Sequence, residues 1–246
     1  DNMHAWKHVL DASEYNMGML VNSLKLGCDC LGEIFYFDVH QVTWEGKVKS
    51  VENAICMHEE DYGIQWKHYD SESQTSEVRR SRRLVISSIF TIGNYDYGFY
   101  WYLYLDGTIQ MEIKLTGIVG VSAVTEATHN PAQSPLIAEG LASPVHQHVF
   151  CFRLDWELDG GPNAIYESQI EVLPISDTNP DGTQFQSVST HLVDEASAKR
   201  NVYPERSRHW KVVNPASLNG LGKPVSYKLL PAGSPTLLAA EQSVVS

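Results

Sequence analysis

The chain has 246 residues, 43% hydrophobic and 20% charged, enough apolar material to build a sizeable core in one large domain or two small ones. Its 30 acidic residues outnumber 18 basic ones, and the net charge of −12 excludes nucleic acid and anionic membrane as default partners. No apolar run approaches the ~20 residues of a bilayer-spanning helix, and Asp1-Asn2-Met3-His4 has neither the basic nor the apolar region of a secretory signal.

In chain order, residues 1–27 carry a weak helical or irregular signal, with Ser13-Glu14 as a start and Asn16 and Gly18 against length. From Glu33 the text alternates as strands do, through His40, then as strand, turn and strand over Gln41–Val48, with Val51–Met57 as a further short strand. His58-Glu59-Glu60-Asp61 reads as a polar interruption, and the basic run Arg79-Arg80-Ser81-Arg82-Arg83 as solvated or paired charge. Arg83–Thr91 is a buried strand, and Gly93, Asn94 and Asp96 form a turn that holds Tyr95 and feeds an aromatic strand. Phe99–Leu105 and Thr108–Val121 pair across Asp106-Gly107, a strong short-range hairpin signal. Residues 125–144 read as a long loop, Pro144–Asp155 as a strand, Asp159-Gly160-Gly161 as a turn, and Ile165–Ile175 as a strand. Residues 176–200 read as polar loop with a short helix near Asp194–Lys199. His209–Asn214 and Val225–Leu230 are strands joined at Asn219-Gly220. Many short strands and little helix predict a mainly β fold, a large antiparallel sandwich.

Several side chains are candidates for chemistry. His146 and His148, two apart on a predicted strand, project from one face and can share an ion suited to imidazole, such as copper, zinc or iron. His58-Glu59 lacks the second His of a zinc protease helix, and a hydrolase built on His146 and His148 has no acid–base partner near them in sequence. Asp11 sits next to apolar residues; a carboxylate in an apolar pocket gains the raised pKa of a general base, but from these residues alone an N-capping or surface Asp is the favoured reading. Asp155 and Glu157 alternate as ligands for a hard cation can, with surface charge the favoured reading. Cys28 and Cys30 are too close for a zinc knuckle. A disulfide from this pair to Cys56 would stabilise by about 3 kcal/mol, and reduced buried thiols are the equal alternative.

Thr91-Ile92-Gly93-Asn94-Tyr95-Asp96-Tyr97 closely resembles the signature Thr-x-x-Asn-Tyr-Asp/Glu-Tyr of copper-containing amine oxidases, and the His146-Gln147-His148 pair begins 51 residues after Tyr95, as in that family. Leu10-Asp11-Ala12-Ser13-Glu14-Tyr15 resembles the family's catalytic-base segment and Gly27-Cys28-Asp29-Cys30-Leu31-Gly32 its cysteine segment. Ile55–Asp61 and Tyr227-Lys228-Leu229 are also similar, so the likeness runs over nearly the whole chain, nearest to the microbial, fungal and peroxisomal branches.

The resemblance implies that residues 1–246 are part of the catalytic β-sandwich domain, incomplete at both ends. It implies that Tyr95 is the precursor of topaquinone, flanked by Asn94 and Asp96. Copper would be held by His146, His148 and a third His from a Thr-His-Pro-like segment that the chain does not contain. Asp11 would be the general base. The reaction would be oxidative deamination of a primary amine by dioxygen to aldehyde, ammonia and hydrogen peroxide. Cys30 and Cys56 would match the family disulfide; Asp155, Trp156 (through its carbonyl) and Glu157 would match the start of a calcium site; and the protein would be a homodimer, peroxisomal or cytoplasmic rather than secreted. Two departures stand out: Ser13 replaces the family's Gly beside the base, and Glu157 is not the usual residue at its position. The alternative expectation is a truncated or degenerate fragment without turnover, a β-rich structural or binding module.

Overall fold

The computed structural model describes residues 15–231 and 237–243. These fall into two compact units, the first ending at His146 and the second beginning at Gln147. The helical or irregular start expected for residues 1–27 is therefore seen only in part, as a 3-10 turn at Met17–Leu20 followed by extended chain.

The first unit is built on a five-stranded antiparallel sheet in sequential order: β1 (Phe35–Val42), β2 (Val48–Asp70), β3 (Thr75–Ile92), β4 (Tyr95–Tyr104) and β5 (Ile109–Gly117). Sequential order follows from short connections, which keep neighbours in sequence neighbours in space. The β4–β5 turn is the one that Asp106-Gly107 announces: Asp106 accepts the Thr108 amide at 2.9 Å and Gly107 takes φ +84°. A small sheet is formed by β6 (Ser122–Ala123), just before the expected long loop of residues 125–144, and by β7 (Leu136–Ala138) and β8 (Leu141–Ala142) within it.

β2 and β3 run well past their neighbours. β1 pairs with Val48–Met57 and β4 with Arg83–Ile92, so Asp61–Asp70 and Thr75–Arg82 continue as a two-stranded ribbon. The acidic run at 58–61 does not interrupt the strand as its polarity suggested. It lies opposite the basic run across the ladder: Glu59 pairs with Arg82 at 2.9 Å, Asp61 with Arg80, and Glu60 with Arg83. Opposite charges facing one another stabilise a sheet that neither run would favour alone.

Val21–Leu26 crosses this sheet, with Asn22 N donating to Ile89 O at 2.8 Å and Leu24 N to Asn53 O at 2.9 Å. It buries Leu24 against Cys30 and Cys56, with Ile34, Tyr36 and Ile89 packed around them.

The second unit is an antiparallel sheet ordered β10 (Phe185–Leu192), β9 (Ala164–Val172), β11 (His209–Leu218), β12 (Pro224–Leu229). The fold class is thus mainly β with antiparallel sheets, as the sequence pattern predicts. β10 contradicts the polar loop expected over 176–200. It is an edge strand with most side chains exposed, so it needs no apolar face. The expected helix at 194–199 is a turn closed by Ser197 N to Asp194 Oδ1 at 2.7 Å. The expected strand at Pro144–Asp155 is chain without regular structure, outside any ladder among the described residues: alternation marks a strand only where a partner edge is available. β11 and β12 join at the expected turn, where Asn219 Oδ1 accepts the Leu221 and Lys223 amides at 2.9 and 3.0 Å. Asn214, 3% exposed, donates to the Leu158 and Gly160 carbonyls at 2.8 Å each, and this ties the 158–161 turn to β11.

Candidate active site around Tyr95

Tyr95 is set by a tight reversal between β3 and β4. Gly93 takes φ +61° and Asn94 completes the turn, so Tyr95 opens β4 opposite Ile92 rather than sitting on the turn itself. The next strand locks it from the other side. Gly117, at φ +98°, faces Tyr95 across the ladder, and a Cβ there would meet Asn94 O at 2.4 Å. Ile118 N then donates to that same carbonyl at 2.7 Å.

Side chains brace the reversal. The Thr91 hydroxyl donates to Asp96 Oδ1 at 2.5 Å and accepts from Asn22 Nδ2 at 2.9 Å. These groups border an open cavity of about 530 Å³ lined by residues that include Asn22, Asp29, Asp96 and Thr116.

After β5 the chain returns over the Tyr95 ring, and Gly120 N donates to Tyr95 Oη at 3.0 Å. Ser143 Oγ donates to Gly120 O at 3.2 Å, which brings the 143–146 segment alongside. His146 then lies 3.0 Å from Tyr95 Oη through Nε2, while its Nδ1 is 2.8 Å from Pro144 O. A carbonyl only accepts, so Nδ1 carries the proton and Nε2 presents its lone pair. The Tyr95 hydroxyl therefore accepts from Gly120 and donates to His146. Among neighbouring phenols, burial, followed by the nearby Tyr95, pushes Tyr97 above its ordinary pKa, and burial does the same to Tyr100.

Of the residues expected from sequence, Tyr95, Asn94, Asp96 and His146 come together in the first unit. His148 is half-buried in the second unit. Asp11 lies outside the described residues. Among those described, no group of three or more His, Cys, Asp and Glu side chains stands ready for a metal ion. In the second unit Asp155 and Glu157 are exposed, Asp155 stands 3.9 Å from Arg153, and Trp156 packs on Tyr227 with ring centroids 5.2 Å apart. Cys30 and Cys56 are buried neighbours in thiol form; burial and the Cys30 thiol push Cys56 up to about 12. Sequence reasoning missed Asn22, Gly117, Gly120, Ser143 and Pro144. The paired glycines of Thr116-Gly117-Ile118-Val119-Gly120 are the signal that was there to be read.

The family model for the copper amine oxidase enzyme domain matches residues 1–246. The chain belongs to the copper amine oxidase family. It is 46% identical over 244 residues to a primary amine oxidase of Arthrobacter sp. (strain P1), covering 99% of this chain and 37% of that protein. A histamine oxidase of Arthrobacter globiformis is 47% identical over 242 residues, covering 98% of this chain and 35% of its own length. Among solved structures, a copper-containing benzylamine oxidase from Hansenula polymorpha superposes with a TM-score of 0.83 at 29% identity, over 92% of this chain and 36% of that one. This copper amine oxidase chain thus spans a little over a third of the relatives it matches.

Proposed function

We propose that the chain is the cofactor-bearing part of a single catalytic domain in a copper-dependent primary amine oxidase. In this reading Tyr95 is the precursor of topaquinone, His146 and His148 are copper ligands completed by a further ligand, and Asp11 is the general base. The net reaction joins a primary amine, dioxygen and water to give an aldehyde, ammonia and hydrogen peroxide. The observation that carries the reading is the hydrogen bond from Tyr95 Oη to His146 Nε2 at 3.0 Å. An imidazole whose lone pair faces a phenol is a donor suited to copper, beside the one side chain that copper and dioxygen would have to oxidise.

When bound, copper and the quinone supply the one-electron and electron-sink chemistry that ordinary side chains lack. The chain's own groups do the rest. Pro144 O fixes the His146 tautomer, and Gly120 N holds the phenol oxygen. The Asn22–Thr91–Asp96 bridge keeps the reversal from shifting. Cys30 and Cys56, adjacent in the core, are proposed to form the family disulfide in the oxidised protein. Asp155, Trp156 and Glu157 are proposed as a secondary calcium site, supported by two exposed carboxylates flanking a backbone carbonyl. A homodimer is proposed on family grounds. A peroxisomal or cytoplasmic location is proposed on family grounds, and the peroxisomal reading is supported by the names of relatives from Nicotiana tabacum and Pichia angusta, which include that compartment.

The test is to add Cu(II) and dioxygen to metal-free protein and record the visible spectrum, a redox-cycling quinone stain and the mass of the peptide that carries Tyr95. A coloured protein with modified Tyr95 is expected, and Tyr95→Phe should remove the colour and the stain. A colourless protein with an unmodified Tyr95 and copper bound would overturn the proposal and leave a β-rich module without turnover.

A further inference from the structure

Gly120 touches Tyr95 twice over, through what it has and through what it lacks. Its amide donates to Tyr95 Oη at 3.0 Å, and its carbonyl accepts from Ser143 at 3.2 Å. A Cβ at position 120 would lie 3.1 Å from Tyr95 Oη and 3.9 Å from Cζ, and among the described residues would meet nothing else within 4 Å beyond its chain neighbours. The contact at 3.1 Å is tighter than nine in ten real Cβ contacts, so the phenol must give by a few tenths of an ångström. The backbone itself makes no such demand: Gly120 is outside the left-handed region that favours glycine, unlike Gly117 at φ +98°. The tyrosine oxygen is thus the one structural reason, among the described residues, for glycine here.

We infer that Gly120 is a positioning residue for Tyr95: its bare backbone is the seat on which the phenol oxygen rests while it faces His146. A side chain at 120 displaces Oη from the place where it meets both Gly120 N and His146 Nε2. Ser143 supports the seat from behind through the Gly120 carbonyl and brings Pro144 and His146 with it. The seat rests on contacts present before any metal or quinone; only its consequence for cofactor formation rests on the reading of Tyr95 given above.

The experiment separates the two. Metal-free wild type, Gly120→Ala, Tyr95→Phe and the double variant are unfolded in urea, and ring nitrogen NMR follows His146. Gly120→Ala should lower the unfolding midpoint and remove the hydrogen bond accepted by His146 Nε2. In the Tyr95→Phe background the same substitution should cost nothing, because the atom it strikes is gone. An equal loss in both backgrounds overturns the seat. With Cu(II) and dioxygen added, Gly120→Ala should bind copper as wild type does and form the quinone at least about tenfold more slowly, since small misplacement of a reacting group is costly. An unchanged rate, or a loss of copper binding in parallel, overturns the positioning role. If the stability cycle couples while wild type itself stays colourless, the seat stands and the cofactor reading falls.

Discussion

Thr91→Val replaces one hydroxyl by a methyl group and keeps the shape and β-branching that suit β3. The hydroxyl makes two bonds, to Asp96 Oδ1 at 2.5 Å and from Asn22 Nδ2 at 2.9 Å. A bond to a charged group contributes about 1.5–3 kcal/mol and a neutral one about 0.5–1.5 kcal/mol. Asn22, Thr91 and Asp96 are each half-buried, so water recovers part of the loss. Taking the lower end of each range, the variant should be less stable by about 2 kcal/mol, measured as a shifted urea midpoint with an unchanged slope. Thr91→Ser keeps the hydroxyl and should recover most of that loss. Quinone formation should follow the same order, because Asp96 adjoins Tyr95 and the bridge fixes the reversal. If the valine and serine variants were equally stable and converted Tyr95 equally, the hydroxyl bridge would not be what braces the turn.

Arg83 and Arg82 offer a paired comparison on one strand. The Arg83 side chain is 16% exposed, pairs with Glu60, donates to Tyr104 Oη at 2.9 Å and lies 3.8 Å from the centre of the Tyr102 ring. Arg83→Met should cost about 2–4 kcal/mol in urea unfolding, whereas Arg82→Ala, whose side chain is 52% exposed, should cost at most about 1 kcal/mol; equal losses would refute the burial argument. The Cys56 thiol, ordinarily near 9, is pushed up to about 12 in the folded chain by burial first and by Cys30 next. A raised folded value stabilises the protein fully below the unfolded pKa and less as pH rises through the folded one. Reduced protein should therefore lose stability from pH about 9 toward about 12, and Cys56→Ala should flatten that decline. In protein oxidised at Cys30–Cys56 the decline should be absent, and two of the four cysteines should fail to react with a thiol reagent under denaturing conditions; an unchanged decline would refute the pairing.

Local chemistry was readable. Asp106-Gly107 and Asn219-Gly220 state their turns through side-chain acceptors, with positive φ taken at Gly107 in the first and at Gly222 in the second, and both hairpins stand where those dipeptides put them. Pairing at a distance was not. Glu59-Glu60-Asp61 looks like a break until Arg80, Arg82 and Arg83 lie across from it, and nothing within five residues of either run announces the other. Phe185–Leu192 fails the opposite way, since an edge strand can be polar throughout. Pro144–Asp155 alternates correctly and still joins no ladder among the described residues. At the site, Tyr95 and His146 were legible because their residue types and spacing carry chemistry. Gly120 and Pro144 contribute a backbone amide and a carbonyl, which every residue owns, so only the fold could single them out.

The proposed conversion must choose one tyrosine out of 12. Residue type cannot make that choice, and neither can burial alone, since Tyr97 and Tyr102 are more deeply buried than Tyr95. What differs is the partner of each hydroxyl. Tyr102 donates to Glu112 and Tyr104 to Gln110, both at 2.5 Å. Tyr95 donates to the bare nitrogen of an imidazole whose other nitrogen is already committed to a carbonyl. That nitrogen is the one a copper ion would take, so metal and phenol proton contend for the same lone pair. In the proposed reading His146 Nε2 would hold the ion in place of the phenol proton, while Gly120 N would still hold the Tyr95 oxygen. If Tyr95 is the residue converted, its selection would rest on two backbone groups, Pro144 O and Gly120 N, more than on the aromatic strand it opens.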